Sequence, residues 1–130
     1  MSDVRLWSHY AGGHTGVAIE IDFSDDEEKL FAVEYTDKLQ EYRVSILGGS
    51  NVSDILRMKT HHWDYEEEYR LISGDQFFPV SGRIAGLYFG LRVSPLIKNT
   101  LTKAMREKMP IFSTKLDNSR ITVVSDKQLN

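Results

Sequence analysis

The chain has no cysteine, only three prolines and no surplus of basic residues, and each shortage removes a class of protein. Without cysteine there is no disulfide frame, no thiolate nucleophile and no thiolate-bound metal, a composition that suits a reducing interior. No stretch approaches the roughly twenty apolar residues that a bilayer-spanning helix needs, and no secretory leader opens the sequence. A cytoplasmic protein without a membrane partner is expected. Lys and Arg number 16 against 19 Asp and Glu, for a formal charge of -3 and a pI near 5.8. That balance argues against binding a nucleic-acid polymer, which calls for a concentrated basic surface. A local basic pocket is still compatible with it.

What is present is ordinary globular material: 130 residues, 41% hydrophobic and 27% charged, with six Tyr, six Phe and two Trp to build a core. This length predicts a single domain over 1–130. Val4 to Ala11 suits one or two helical turns, and A-G-G-H-T-G at 11 to 16 breaks them. Val17 to Phe23 alternates as a half-buried strand, with Val17, Ile19, Ile21 and Phe23 on one side. Ser24 opens a short acidic helical turn. Phe31, Val33 and Tyr35 mark a second strand, antiparallel to the first, and residues 37 to 47 stay ambiguous.

After the break at Gly48 and Gly49, Ser50 or Asn51 caps a helix whose stripe is Val52, Ile55, Leu56 and Lys59. Residues 66 to 73 read as a strand, 74 and 75 as a turn, and 77 to 80 as a short strand. Arg83 to Val93 alternates most clearly. Ala85, Leu87, Phe89, Leu91 and Val93 form its apolar face, and Ile84, Gly86, Tyr88, Gly90 and Arg92 the other. Ser94-Pro95 starts a helix that runs to about Met109, with Lys98 among its water-facing residues, and Pro110 stops it. Ile111 to Lys115 and Arg120 to Val124 are two strands joined at Asp117 and Asn118. The sum is an α+β fold, a mostly antiparallel sheet with two main helices packed against it.

Most of the chemistry is concentrated in K-T-H-H-W-D-Y-E-E-E-Y-R-L-I-S at 59 to 73. A strand period of two puts Glu66, Glu68 and Arg70 in a row on one face. Carboxylates accept from sugar hydroxyls and a guanidinium donates two bonds to a phosphate, so Glu68 and Arg70 can grip a ribose and its phosphate. The plainer reading is an ion pair on a sheet face. Lys59 is either a phosphate contact or the partner of one of these glutamates. His9, Tyr10 and His14 flank the glycine turn and offer donors and a ring to a ligand, or else only cap and pack. Gly86 and Gly90 flanking Tyr88 leave a flat glycine strip where another backbone or a ligand can come close; Trp63 and Tyr88 are the stacking candidates, and Arg92 shares that strip with Tyr88. His61 and His62 are adjacent and no H-E-x-x-H is present, so no metal site is expected.

W-S-H-Y-A at 7 to 11, H-x-G at 14 to 16, V-x-Y at 33 to 35, K-x-x-x-W-x-Y-E-x-E-Y-R at 59 to 70 and I-x-G-L-Y-F-G at 84 to 90 together resemble the domain of unknown function 2971 of bacteria and phages. Members of that family usually carry a further N-terminal portion before W-S-H-Y, which leads to the expectation that this chain is shortened there. The family's fold-level similarity to ADP-ribosyltransferases implies a cleft for NAD, with Glu66 or Glu68 in the place of a catalytic glutamate. Fold alone does not fix function. The expected function is therefore capture and sequestration of a nucleotide-like small molecule such as NAD or ADP-ribose, in a pocket that a homo-oligomer can complete. A phage protein of this kind would capture a host nucleotide immune signal. The alternatives are an ADP-ribosyltransferase-like enzyme acting on NAD, and an inhibitor that binds a host protein.

Overall fold

The computed structural model describes residues 3–38, 52–80, 82–118 and 120–125. Most of the ambiguous segment 37 to 47 and the expected helix cap at Ser50 or Asn51 lie outside them. The described elements run α1 (Val4–Tyr10), β1 (Val17–Ile21), a 3-10 turn (Ser24–Lys29), β2 (Leu30–Ala32), β3 (Glu34–Thr36), α2 (Val52–Leu56) and β4 (Met58–Thr60). A second 3-10 turn (His61–Glu66), β5 (Tyr69–Leu71), β6 (Ile84–Phe89), α3 (Pro95–Met105), β7 (Ile111–Asp117) and β8 (Arg120–Ser125) complete the order. The fold is α+β, and β1–β6, β2–β5 and β7–β8 pair antiparallel against parallel pairs β3–β4 and β6–β7. The chain divides into two compact units, Met1–Asp22 with Val80–Asn130, and Phe23–Pro79.

The first unit is built on a four-stranded sheet in the order β1-β6-β7-β8. Parallel neighbours need a crossover, and the one from β6 to β7 carries α3, with Leu101 and Met105 of the helix and Met109 beyond it packed on buried Leu87, Phe89 and Ile111. Ser94 caps α3 by accepting from the Ile97 amide at 3.3 Å. The helix ends at Met105, short of Met109, because the amides of Lys108 and Met109 both close onto the Met105 carbonyl. Lys98 does not face water: its ammonium donates to Ser113 Oγ at 2.6 Å and stands 5.5 Å from the Phe89 ring centroid. Its aliphatic stem makes that reach possible.

Two strand expectations in this unit are shortened. β6 stops at Phe89 because the glycine turn docks on the next residue. The Gly90 amide donates to the Gly16 carbonyl at 3.1 Å, and a Cβ at Gly90 would collide with the His14 carbonyl oxygen. Ile19, expected on the buried side, is half exposed on the edge strand β1, and Phe23 falls outside β1 and packs its ring on Phe78 at 5.9 Å.

In the second unit the strand expected over Phe31 to Tyr35 bends at buried Val33 into β2 and β3, and neither half pairs with β1. β2 pairs antiparallel with β5 and β3 parallel with β4. The handover is made by the backbone: the Val33 amide donates to the Glu68 carbonyl at 2.9 Å and the Glu34 amide to the Arg57 carbonyl at 2.7 Å. α2 is five residues long and does not reach Lys59, because the Arg57 amide tightens onto the Asp54 carbonyl and the chain then enters β4. Residues 77 to 80 form no strand. Val33 is the one buried hydrophobic residue of this unit among those described.

Candidate functional site

The parallel pairing of β3 with β4 sets Tyr35 beside Lys59, and the antiparallel pairing of β2 with β5 sets Phe31 beside Arg70. Between these ladders the chain makes a 3-10 turn that ends at Glu66, and Glu67 caps it in the left-handed region at φ 46°. A non-glycine residue there is unusual. Glu66 and Glu68 thus both meet Lys59, although Glu66 belongs to no strand. The expected row of Glu66, Glu68 and Arg70 forms, but by a bent backbone and not by a continuous strand over 66 to 73. Lys59 joins it from the middle of β4, not from a helical stripe.

The contacts are dense. Lys59 Nζ pairs with Glu66 and lies 2.8 Å from Glu68 Oε2. Arg70 meets Glu68 side-on, Nε donating to Oε1 at 2.7 Å and Nη2 to Oε2 at 3.3 Å. Arg70 Nη1 donates to the Leu56 carbonyl, and the Glu68 amide donates to the Tyr35 hydroxyl at 2.9 Å. Glu66 is nearly closed off, with 5% of its side chain exposed, whereas Arg70 keeps 32%. Lys59 also stands 5.2 Å from the Trp63 ring centroid, and Trp63 leans on Tyr65 at 6.1 Å.

Burial by itself would lower the Lys59 pKa, but bonds to Glu66 and Glu68 outweigh it and hold the ammonium well above its ordinary value. The Arg70 guanidinium, and after burial is offset also Lys59, pull the Glu68 carboxyl below the usual range. Glu68 in turn raises Arg70. Two cations face two anions, so the cluster is close to neutral. Sequence reasoning missed Tyr35 as a member, and also Arg57, which pairs with Glu34 at 2.9 Å and lies 5.0 Å from the Phe31 ring centroid. Only the partner switch at Val33 brings those residues in, and no local pattern announces it.

His9, Tyr10, His14, Tyr88 and Arg92 belong to the other unit. His14 stacks on buried Trp7 at 6.3 Å, its Nε2 lies 3.4 Å from Ser8 Oγ, and its Nδ1 is buried without a hydrogen-bond partner. Its carbonyl accepts from the Arg92 amide at 2.9 Å. His9 and Tyr10 meet edge to face at 6.4 Å, with Tyr10 exposed. Tyr88 donates to Glu20 Oε2 at 2.6 Å and stacks on Phe112 at 4.7 Å. The bond to Glu20 and burial push the Tyr88 hydroxyl up to about 12.

The glycine strip expected to receive a backbone or a ligand is filled by the protein itself. A Cβ at Gly86 would lie 2.8 Å from Glu20 Oε2 and 3.2 Å from the Tyr88 ring, and Gly90 is covered by the backbone of His14 and Gly16. Arg92 sits in the turn past the end of β6, so it does not continue the Tyr88 face. Among the described residues no group of three or more His, Asp or Glu is placed to hold a metal ion, and no helix is long and apolar enough to cross a membrane.

The profile of the family described as "Protein of unknown function (DUF2971)" matches residues 6–71, a little over half of the chain. The match takes in the W-S-H-Y, H-x-G and V-x-Y motifs and the whole segment from Lys59 to Arg70, while I-x-G-L-Y-F-G lies beyond it. No curated protein and no solved structure matches the chain.

Proposed function

The chain belongs to the DUF2971 family, and we propose that it binds a nucleotide-like small molecule at the Lys59–Glu66–Glu68–Arg70 cluster and holds it without transforming it. One observation carries this reading. Four charged side chains from β4, the second 3-10 turn, the link after it and β5 converge beside Trp63 in a unit with Val33 as its one buried hydrophobic among the described residues. Ionic clusters are a poor way to stabilise so small a unit, since well-packed apolar residues of similar volume do as well or better. Their presence fits a recognition role. Arg70 has five N–H donors and spends three, on Glu68 and on Leu56, leaving two for a ligand's phosphate oxygens. Trp63 offers a ring for a base, as aromatic surfaces in ligand sites do.

Capture is favoured over turnover by the state of Glu68. A glutamate that steadies a reacting sugar must turn its oxygens toward the substrate, and both oxygens of Glu68 are engaged by Arg70 and Lys59. Calorimetry and thermal shift with NAD, ADP-ribose and cyclic nucleotides test the proposal, followed by chromatography of the recovered ligand. A saturable shift that is lost in Arg70→Ala and kept in Tyr88→Phe, with the ligand recovered intact, is the expected result. Consumption of NAD would replace capture by catalysis, and the absence of any shift would remove the ligand reading.

A further inference from the structure

We infer that the Glu68 carboxylate occupies the place of a phosphoryl group of the ligand, so that binding proceeds by exchange of Glu68 for that group on Arg70. This inference rests on the ligand reading above and adds to it the chemistry of the bound group and the residue that competes with it. The side-on geometry is the reason. Arg70 presents Nε and Nη2 to two oxygens of one anionic group at 2.7 and 3.3 Å, the fork that guanidinium offers equally to a carboxylate or a phosphate. The second contact of that carboxylate, 2.8 Å to Lys59 Nζ, supplies a further donor that a phosphoryl group can use in the same position.

Glu66 differs from Glu68 in a way that divides their roles. It is the more enclosed, with 5% of its side chain exposed against 27% for Glu68, and it holds Lys59 from the inner side. Glu68 is the outer carboxylate and the one that can swing out to solvent, away from the bound ligand, so its release does not aim its oxygens at a reacting sugar. Once it leaves, the site carries Lys59 and Arg70 against Glu66 alone, one net positive charge that a phosphoryl group neutralises. Glu68 therefore also selects: a neutral nucleoside has nothing to offer Arg70 in exchange, and remains outside.

The test compares wild type, Glu68→Gln and Glu68→Met by calorimetry with ADP-ribose, inorganic pyrophosphate and adenosine. Removing the competing charge is expected to tighten ADP-ribose and pyrophosphate by about tenfold, the lower end of what one charge-assisted hydrogen bond contributes, with no gain for adenosine. In wild type, the Nε–H resonance of Arg70 is expected to move on saturation with ADP-ribose, a readout that does not depend on either variant folding. Equal or weaker binding of ADP-ribose by the variants, or an Arg70 resonance unmoved in the saturated wild type, overturns the exchange while leaving capture in place. Failure of all three proteins to bind any of the probes overturns both.

Discussion

The two units of this chain differ in what their described residues bury. The unit with the four-stranded sheet buries Trp7, Leu87, Phe89, Ile111 and Ile121 to 7% exposure or less, whereas the unit from Phe23 to Pro79 buries Val33 alone among its described hydrophobic residues. Among its described residues the second unit instead has Lys59, Arg70 and two glutamates tied to one another, with Arg57 and Glu34 paired nearby. Apolar burial is indifferent to what a ligand carries. A charge cluster responds to any anion that competes for its cations, and so the proposed ligand reading falls on the second unit.

Cavity formation should hurt the first unit most. Phe89 is 1% exposed under α3, and Phe89→Ala is expected to cost about 3–5 kcal/mol in denaturant unfolding. A loss under 1 kcal/mol would mean that the apolar cluster is not what holds this unit. The matching cut in the second unit is Lys59→Met, which leaves Glu66 buried and Glu68 partly buried with one fewer cation between them. Breaking a buried ionic group by removing one partner costs about 3–5 kcal/mol, and because Glu68 keeps Arg70 the expected loss is about 2–4 kcal/mol. Adding Glu66→Gln should recover much of it, since the stranded charge is then gone. If Phe89→Ala and the single and double Lys59 variants lose alike, the contrast between the units fails.

The same contrast explains which parts of the structure were legible in the sequence. α3 and the β7–β8 hairpin follow from neighbours in the chain: Ser94 and Pro95 start the helix, and Asn118 takes a positive φ of 45° at the turn. Their information is local. The partner of β2 and β3 is not local, because the switch at Val33 is made by carbonyls of Glu68 and Arg57, over twenty residues away in sequence. Lys59, Glu66, Glu68 and Arg70 were readable as a group from their spacing, but the backbone that assembles them was not. Alternation cannot foresee a left-handed Glu67 or a lysine on a strand instead of a helix. The strip at Gly86 and Gly90 left open whether a backbone or a ligand comes close, and it is backbone that closes on Gly90; spacing could not decide between them, because Glu20 and the His14 carbonyl come from the other end of the sequence.

Acid and base should separate the units further. Glu68 is held below its ordinary value, so its contribution to stability is present above pH 4.5 and lost as the pH falls through its folded value. Glu68→Gln should flatten the acid limb of the stability profile. Tyr88 is raised from 10.0 to about 12, so what it contributes is complete below pH 10.0 and is lost as the pH rises toward 12. Lys59 is also raised and adds to the alkaline loss, which makes the difference between wild type and Tyr88→Phe the informative quantity. That difference should change between pH 10 and 12 and be constant from pH 6 to 9 in urea titrations. A difference that is the same at every pH would place the Tyr88 contribution in its stacking on Phe112 and not in the bond to Glu20.

The smallest expected effect is also the one that tests how the charge cluster is assembled. Glu67 sits at φ 46° and ψ 45° between the two glutamates that hold Lys59, in a conformation that costs an L-residue with a Cβ roughly 1–2 kcal/mol. Glycine removes that cost but loses more chain entropy on folding, about 0.5–1 kcal/mol. Glu67→Gly should therefore stabilise the protein by about 0.5–1 kcal/mol, and Glu67→Val should destabilise it, because a β-branched residue tolerates this region least. The sign matters more than the size. If glycine destabilises, the Glu67 side chain contributes something of its own to the cluster; if it stabilises and ligand affinity is kept, the left-handed turn serves only to aim Glu66 and Glu68 at the same lysine.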